Sequence, residues 1–294
     1  MVLLSFFRTL LTLGRVSNLP TVWTNVAVGW FLSGGGWTGE FGWIVLGMSL
    51  IYVAGMTLND AFDAAWDRAH APSRPIPAGR IGRGAVWAVG ILQMVAGVGV
   101  LVACTTVSRH LAGDLVIAVL LYNWLHKRWA GSVLIMGLCR ALVYIGAGSA
   151  VAAHTGRIEV PATLLFIAGG VIVYIAGLTL VARREHLAAP GPLRRLPGLM
   201  LMVPVLFPLL LFRNMPQEVI WYAVAAVGVL GVGAWLVIVR RALAERVPKG
   251  IAFALAGIAF FDASVVAFAD WYAAVACLAA FVLTLALQRV IPAT

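Results

Sequence analysis

Long apolar runs recur along the whole chain and are separated by short polar connections. The runs with the length of a membrane helix fall at residues 16–34, 41–59, 84–106, 110–126, 132–153, 160–181, 197–213 and 219–240. A ninth tract, 250–289, fits either one span with an interfacial helix or two spans hinged near Asp270. Because a helix needs about 20 apolar residues to cross a bilayer, the pattern predicts an all-α, polytopic membrane protein with nine or ten transmembrane helices.

The composition argues against a soluble protein. Of the 294 residues, 62% are hydrophobic and only 11% are charged, which is far from soluble norms. The N-terminal stretch MVLLSFFRTLLTLGR is interrupted by Arg8 and Arg15 and lacks a small-residue cleavage site. We therefore expect an amphipathic segment on the membrane surface and no signal peptide. No soluble domain or linker interrupts the pattern, so residues 1–294 are predicted to form a single transmembrane domain.

The positive charges are distributed unevenly between the connections. The formal net charge is +10, and most Lys and Arg residues lie after the even-numbered predicted spans. The opposite connections hold only Arg109, Arg157 and Arg213. Because positive residues favour the cytoplasmic side, we expect an integral, multi-pass protein of the bacterial inner membrane with its even-numbered connections in the cytoplasm. This distribution accounts for the charge without a nucleic-acid partner; oligomeric state is left open.

A dense group of acids follows the second predicted span, in NDAFDAAWDRAHAPSRPIPAGR, residues 59–80. Asn59, Asp63 and Asp67 are spaced i, i+4 and i+8, so on a helix they share one face, and Asp60 lies near it. We call these four residues the acid stripe. Oxygen ligands without cysteine or clustered histidine favour Mg²⁺, which shares its coordination shell with phosphates. The stripe therefore predicts a diphosphate held through Mg²⁺.

Basic residues nearby fit a diphosphate as well. Arg74 and Arg80 flank the proline-stiffened RPIPAG loop, and arginine forks match phosphate oxygens. The alternative is a solvated loop whose acids and arginines only pair with one another. Arg140 lies inside an apolar run, where a charge usually faces a cavity or a partner, and we expect that partner to be the diphosphate or an acid. Asp262 is a second intramembrane charge, expected to orient an acceptor, to pair with Arg140 or simply to be buried.

NDAFDAAWD and the following RPIPAG resemble the first aspartate-rich motif and basic loop of the UbiA superfamily of intramembrane prenyltransferases. The resemblance covers nearly the whole chain. It implies a helical bundle around a lipid-open cavity, and Mg²⁺-dependent transfer of a prenyl group from an isoprenoid diphosphate to an aromatic or other acceptor reached from the lipid or the cavity. Asn59, Asp63 and Asp67 match the metal-binding positions, with Asp60 beside them. Asp63, Asp67 and Lys127 would then be the catalytic residues.

LLYNWLHKRWAGS, after the fourth span, is similar to the family's YxxxK motif, whose lysine binds the diphosphate. Tyr122 and Lys127 are one residue too far apart for that motif, whereas Asn123 and Lys127 keep its spacing. The resemblance therefore implies Asn123 and Lys127 at the diphosphate. The alternative is that Lys127 only helps to keep this connection on the cytoplasmic side of the membrane.

GLTLVARREHLAAP, after the sixth span, departs from the family pattern. Two or more aspartates are expected there, but the chain has Arg183, Arg184, Glu185 and His186. In one interpretation Arg183 or Arg184 contacts the diphosphate in place of a second metal cluster, with Glu185 beside it. In the other, the protein is a non-catalytic isoprenoid- or lipid-binding protein or a transport accessory. HKRWAGSVLIMGLCRALVYIGAG and TLVARREH are similar to the EboC branch of the superfamily, which has an altered second motif.

Overall fold

The computed structural model describes residues 2–156, 159–184 and 195–293, and these residues form helices and no strand. Two short 3₁₀ helices, Val16–Asn18 and Val203–Leu206, lie between the α-helices. The α-helices in chain order are α1 Val2–Leu13, α2 Pro20–Leu32, α3 Gly39–His70, α4 Arg83–Cys104, α5 Arg109–Leu125, α6 Ser132–His154, α7 Ala162–Arg184, α8 Arg195–Met200, α9 Phe207–Phe212, α10 Val219–Glu245, α11 Val247–Val266 and α12 Trp271–Leu287.

Six of the described helices, α3, α4, α6, α7, α10 and α11, are long and apolar enough to cross a membrane. Together with the exposed apolar side chains around the bundle, they identify an integral membrane protein. The remaining predicted spans correspond to shorter helices, such as the 13 residues of α2 and the 17 of α5. The count of nine or ten crossings therefore stays a prediction.

The predicted span 197–213 is wrong as a single helix. The chain forms α8, then the 3₁₀ helix, then α9. Pro204 and Pro208 explain the interruption, because neither has an amide hydrogen to donate to the carbonyl four residues earlier. The tract 250–289 is divided into α11 and α12, with the break at Asp270. The Asp270 side chain caps α12 by accepting a hydrogen bond from the Ala273 amide at 2.7 Å.

Polar contacts show which connections share one end of the bundle. Arg74, between α3 and α4, and Lys127, between α5 and α6, lie 4.0 Å and 3.0 Å from the Asp63 carboxylate. At the opposite end, Glu40 at the start of α3 accepts a hydrogen bond from the Thr106 amide at 2.6 Å and contacts His154. The connections after α3 and α5 therefore lie together, as the charge pattern predicts, and which membrane face they occupy stays a prediction.

Small residues allow the central helices to approach closely. A methyl group added at Gly29 of α2 would lie 2.1 Å from the Tyr144 carbonyl oxygen of α6. One added at Gly137 of α6 would lie 2.7 Å from the Ile172 backbone of α7. Without a hydrophobic driving force between helices inside lipid, close van der Waals packing of this kind holds the bundle together.

A buried polar network joins α2, α6 and α11. The Asp262 side chain is only 2% exposed, and its carboxylate accepts three hydrogen bonds. The donors are the Thr24 hydroxyl at 2.6 Å, the Asn25 amide at 2.8 Å and the Tyr144 hydroxyl at 2.6 Å. The sequence left open whether Asp262 is simply buried or has a role at the site. Its described contacts make it the acceptor that satisfies three polar groups inside the bundle.

Replacing Asp262 should destabilise the bundle strongly. Asp262→Ala removes the acceptor that three buried donors share. The Thr24 hydroxyl and the Asn25 amide each keep one other acceptor, whereas the Tyr144 hydroxyl loses the one it donates to. Each hydrogen bond that is lost costs about 1 kcal/mol. We expect a clear drop in the thermal unfolding temperature of the purified protein in detergent. Asp270→Ala is the matched control, because that carboxylate satisfies one amide at a helix end and should cost only about 1 kcal/mol. Equal losses in the two variants would contradict the role given to the network.

The arrangement of the two ends can be checked by cysteine labelling. In a background without the native cysteines, Arg80→Cys and Arg128→Cys should react with an impermeant thiol reagent from the same side of sealed vesicles. Thr155→Cys, at the end of α6 that carries His154, should react from the other side. All three positions are exposed, and Arg128 also lies near the Trp124 ring. Labelling of Arg80→Cys and Arg128→Cys from opposite sides would contradict the fold.

Candidate functional site

The acid stripe lies on the last part of the longest described helix. With 32 residues, α3 is about 48 Å long, which exceeds the roughly 30 Å of a hydrocarbon core. One unbroken helix runs through Asp67, so the predicted i, i+4, i+8 face exists. The four stripe residues, Asn59, Asp60, Asp63 and Asp67, are nevertheless between 1% and 7% exposed. Three carboxylates on one buried helical face need compensating cations.

Two predicted residues supply that compensation directly. The Arg74 guanidinium lies 3.0 Å from the Asp67 carboxylate, 3.5 Å from that of Asp60 and 4.0 Å from that of Asp63. The Lys127 ammonium lies 3.0 Å from Asp63 and 3.7 Å from Asp67. It also lies 3.6 Å from the centre of the Trp66 ring, a cation–π contact that favours this position further. The predicted loop and the predicted lysine therefore meet at the stripe.

Two residues that the sequence did not single out also reach the stripe. His126 Nε2 lies 3.1 Å from an Asp63 carboxylate oxygen. Arg15, predicted only to interrupt the surface segment, lies 3.5 Å from the Asn59 side-chain oxygen and 3.9 Å from Asp60. Its backbone is left-handed, with φ of 43°, which is uncommon for a residue with a side chain and costs energy.

The sequence carried only weak signals for these two residues. His126 is the neighbour of a predicted ligand, Lys127. Arg15 is a charge at the junction between the surface segment and the first apolar run. Neither signal points to the acid stripe unless the tertiary arrangement is known.

Asn123 ties two helices together beside the stripe. Its amide donates to the Gly55 carbonyl at 3.0 Å, and its side-chain oxygen accepts from the Asn59 amide at 3.1 Å. These bonds fix the orientation of the Asn59 side chain, whose oxygen is then the atom that receives Arg15. Asn123 thus orients Asn59, and its predicted contact with a diphosphate stays a prediction.

A cavity of about 210 Å³ adjoins the stripe. Its walls are mostly aliphatic, and Arg15 and Asn123 line it at the end where they contact Asn59. Further polar groups in the wall come from Asn18, Tyr52, Tyr122, Arg140 and Thr179. An apolar cavity with a charged group at one end suits a ligand with an apolar body and an anionic head.

Arg140 lines the cavity, as a charge inside an apolar run predicts. Its guanidinium donates to the Thr21 hydroxyl at 2.8 Å and to the Asn25 side-chain oxygen at 2.6 Å, and it lies 5.8 Å from the Tyr52 ring. Asn25 in turn donates to Asp262. Arg140 and Asp262 are therefore connected through Asn25, and in the described part of the chain Arg140 forms no ion pair with the stripe.

The structure does not bring the other residues predicted to bind the diphosphate into contact with the stripe, as far as it describes them. Arg80 is exposed at the end of its loop and is not among the described cations that contact the stripe. Arg183 donates to the carbonyl oxygens of His126 and Ala130 and to the Ser132 hydroxyl, at 2.5, 3.1 and 2.6 Å. The backbone of Arg184 ends α7. Glu185 lies outside the described residues, so its predicted role stays a prediction.

The stripe offers oxygen ligands without forming a closed metal cage. One carboxylate oxygen of Asp67 is buried and has no hydrogen-bond partner, although the Lys127 ammonium is 3.7 Å away. Among the described residues, no three His, Cys, Asp or Glu side chains converge on one point. An orphaned carboxylate oxygen in an all-oxygen set fits Mg²⁺, which takes few protein ligands and fills its shell with water or phosphate.

Three solved structures share this fold. A UbiA homolog from Aeropyrum pernix K1 is 16% identical, with a TM-score of 0.68, over 84% of this chain and 96% of that one. A UbiA homolog from Archaeoglobus fulgidus, bound to GPP and Mg²⁺, is 16% identical, with a TM-score of 0.60, over 87% and 99%. A digeranylgeranylglyceryl phosphate synthase is 15% identical, with a TM-score of 0.60, over 93% and 99%.

Sequence comparison adds an independent result. No curated protein matches the chain in sequence. The sequence profile of the UbiA prenyltransferase family, however, matches residues 21–249, well over half of the chain and inclusive of the whole acid stripe. The chain therefore belongs to the UbiA prenyltransferase family.

Proposed function

We propose that the protein transfers a prenyl group, within the membrane and with Mg²⁺, from an isoprenoid diphosphate to an aromatic or other acceptor. The observation that carries this proposal is the buried acid stripe, which has Arg15, Arg74 and Lys127 around it and adjoins an apolar cavity through Arg15 and Asn123. Family membership and the similar protein solved with GPP and Mg²⁺ support the same ligand class.

Asn59, Asp60, Asp63 and Asp67 would hold Mg²⁺. The metal, when bound, supplies positive charge that neutralises the leaving diphosphate. The Arg74 and Lys127 side chains lie within 4.0 Å of the same carboxylates, so they can reach a diphosphate bound there. Asn123 keeps the Asn59 oxygen oriented towards the site, and Arg15 adds positive charge beside it. Arg80 is exposed at the end of its loop, and its contact with a diphosphate stays a prediction.

Loss of the diphosphate leaves an allylic carbocation, and the cavity must protect it from water. Aliphatic residues form most of the wall, and the Tyr52 and Tyr122 rings can stabilise a cation through their π faces. Arg140 lies in the same wall and would contact an anionic part of a ligand. The acceptor attacks the allylic carbon of the carbocation, and the proton that the acceptor loses passes to the departed diphosphate or to water. We expect the acid stripe and its cations on the cytoplasmic side of a bacterial inner membrane, as the charge pattern predicts.

A second candidate function follows from the end of α7. The guanidinium of Arg183 already has three acceptors, and the chain offers no aspartate pair at that place. A site with one acid cluster would bind an isoprenoid diphosphate or another anionic lipid without cleaving it. The protein would then be a binding or transport-accessory member of the family.

One experiment separates the two functions. The purified protein is reconstituted in lipid and incubated with labelled isoprenoid diphosphates of several chain lengths, Mg²⁺ and a panel of acceptors. We expect release of inorganic diphosphate together with a prenylated acceptor. Saturable binding of the labelled substrate without diphosphate release, across all acceptors, would instead identify the non-catalytic function.

Asp63→Ala should impair Mg²⁺-dependent binding of an isoprenoid diphosphate. The Asp63 carboxylate lies at the centre of the stripe and contacts three cationic or titratable side chains, Arg74, His126 and Lys127. We expect binding at least about tenfold weaker, a usual loss when a metal site is damaged. Asp114→Asn is the control, since that carboxylate is exposed on α5. Unchanged binding in folded Asp63→Ala protein would remove the metal assignment.

Lys127→Gln should shift Mg²⁺ and diphosphate binding in opposite directions. The substitution removes a cation 3.0 Å from Asp63, so the stripe becomes more negative and should bind Mg²⁺ alone several-fold more tightly. Diphosphate with Mg²⁺ should bind about tenfold or more weakly, because a charged hydrogen bond is lost. Calorimetric titrations with Mg²⁺ alone and with inorganic diphosphate measure both. A change in the same direction for the two ligands would contradict a shared site.

A further inference from the structure

Arg183 occupies a place where the family pattern leads one to expect an acid, and its contacts are not with the acid stripe. Its guanidinium donates to the His126 carbonyl oxygen at 2.5 Å, the Ala130 carbonyl oxygen at 3.1 Å and the Ser132 hydroxyl at 2.6 Å. All three acceptors belong to residues 126–132, which we call the α5–α6 turn. One side chain of α7 thus grips both ends of this turn.

The α5–α6 turn carries the two residues that reach Asp63 from this side. Lys127 follows directly after His126, whose carbonyl is bound by Arg183, and both side chains contact Asp63, at 3.0 and 3.1 Å. The acceptors are well suited to a cation, because the last carbonyls of a helix such as α5 have no partner within the helix and carry partial negative charge. Ser132 is fully buried and also donates to the Trp129 carbonyl, which makes it a fixed acceptor.

The geometry of an arginine explains why one side chain can do this. The guanidinium is a planar fork with five N–H groups, so it can bind several carbonyls at once, and each bond restricts the orientation of the next. A direct contact with a diphosphate would have to compete with these three acceptors. The contacts therefore favour an indirect role over direct ligation.

We infer that Arg183 is a positioning residue that clamps the α5–α6 turn and so holds Lys127 against the carboxylates of Asp63 and Asp67. The clamp is a property of the fold, and its effect on ligand binding rests on the proposed function, in which Lys127 contacts the diphosphate. In this arrangement Arg183 supports the site through the carbonyl oxygens of the α5–α6 turn that it binds, and it is not itself a ligand of the diphosphate.

A double-mutant cycle with inorganic diphosphate and Mg²⁺ as the probe tests the inference. Arg183→Gln alone should weaken diphosphate binding about tenfold, a usual size for coupling within one hydrogen-bond network. In a Lys127→Gln background the same change should have no further effect, because the residue through which Arg183 acts is gone. Two losses that multiply in the double variant would show direct ligation and overturn the inference.

Two controls separate the clamp from charge and from misfolding. Arg241→Gln removes the same charge from an exposed position on α10 and should leave diphosphate binding unchanged. Ser132→Ala removes one acceptor of the clamp and leaves the arginine in place, so it should cause a smaller loss in the same direction. If Arg241→Gln weakens binding as much as Arg183→Gln does, general charge explains the effect and the clamp is rejected.

Amide hydrogen exchange tests the clamp without any ligand. In Arg183→Gln the amides of residues 126–132 should exchange faster than in the wild type, while those of the Glu40–Thr106 contact at the other end stay unchanged. Unchanged exchange in the turn overturns the clamp even if diphosphate binds well. Faster exchange in a protein whose wild type binds no diphosphate keeps the clamp and overturns the proposed function instead.

Discussion

The structure depends on the repulsion among three carboxylates on one buried face of α3. Asp60, Asp63 and Asp67 are each at most 7% exposed, so water cannot offset their charge. A buried acid remains ionised only with a partner close by. The compensating cations are Arg15, Arg74 and Lys127, and His126 lies beside Lys127. These residues come from three separate segments of the chain. Neutralising the stripe therefore draws the surface segment, the loop after α3 and the turn after α5 to one end of the bundle.

Each of these segments shows a local feature that holds its side chain near the stripe. Arg15 adopts a left-handed backbone to approach Asn59, and the Tyr52 hydroxyl donates to its carbonyl at 3.4 Å. Lys127 rests against the Trp66 ring. Such strained or tightly held residues persist only where the surrounding structure enforces them, which is why they concentrate at sites rather than in ordinary helices. Below the site, Asp262 and its three donors hold α2, α6 and α11 in register.

The helical face of the site was predictable because it depends only on local geometry. A 3.6-residue period places Asn59, Asp63 and Asp67 together, and Arg74 follows within one short loop. Arg15 was not predictable in this way, because it is 44 residues from Asn59 and no local pattern joins them. The partners of Arg183 were hidden for another reason. Every residue carries a backbone carbonyl, so a sequence gives no sign of which carbonyl an arginine will bind.

The sequence also predicts much of the fold, but not every break in its helices. Apolar runs predict where the helices lie, and the charge pattern predicts which connections share one end of the bundle. A break at Asp270 is one of the two interpretations that the sequence allows for the last tract. Apolar composition alone predicts one span over 197–213, whereas the three prolines in that run are a local signal against a straight helix, because each lacks an amide hydrogen. Hydropathy predicts where a segment lies, whereas backbone hydrogen bonding decides whether it stays helical.

The acids of the site lie on a rigid helix, whereas two of its cations, Arg74 and Lys127, lie in the connections between helices. The carboxylates belong to α3, which is one continuous helix through Asp67, so their spacing changes little when a ligand arrives. Arg74 lies in a loop, and its side chain is about a third exposed, so it can exchange a carboxylate for a phosphate oxygen at low cost. Lys127 lies in the turn whose carbonyls Arg183 binds, and its ammonium rests against the Trp66 ring. A long, flexible ammonium loses less entropy on binding when its backbone and stem are already held. The altered end of α7 thus fits a site in which one acid cluster is fixed and one lysine is held ready beside it.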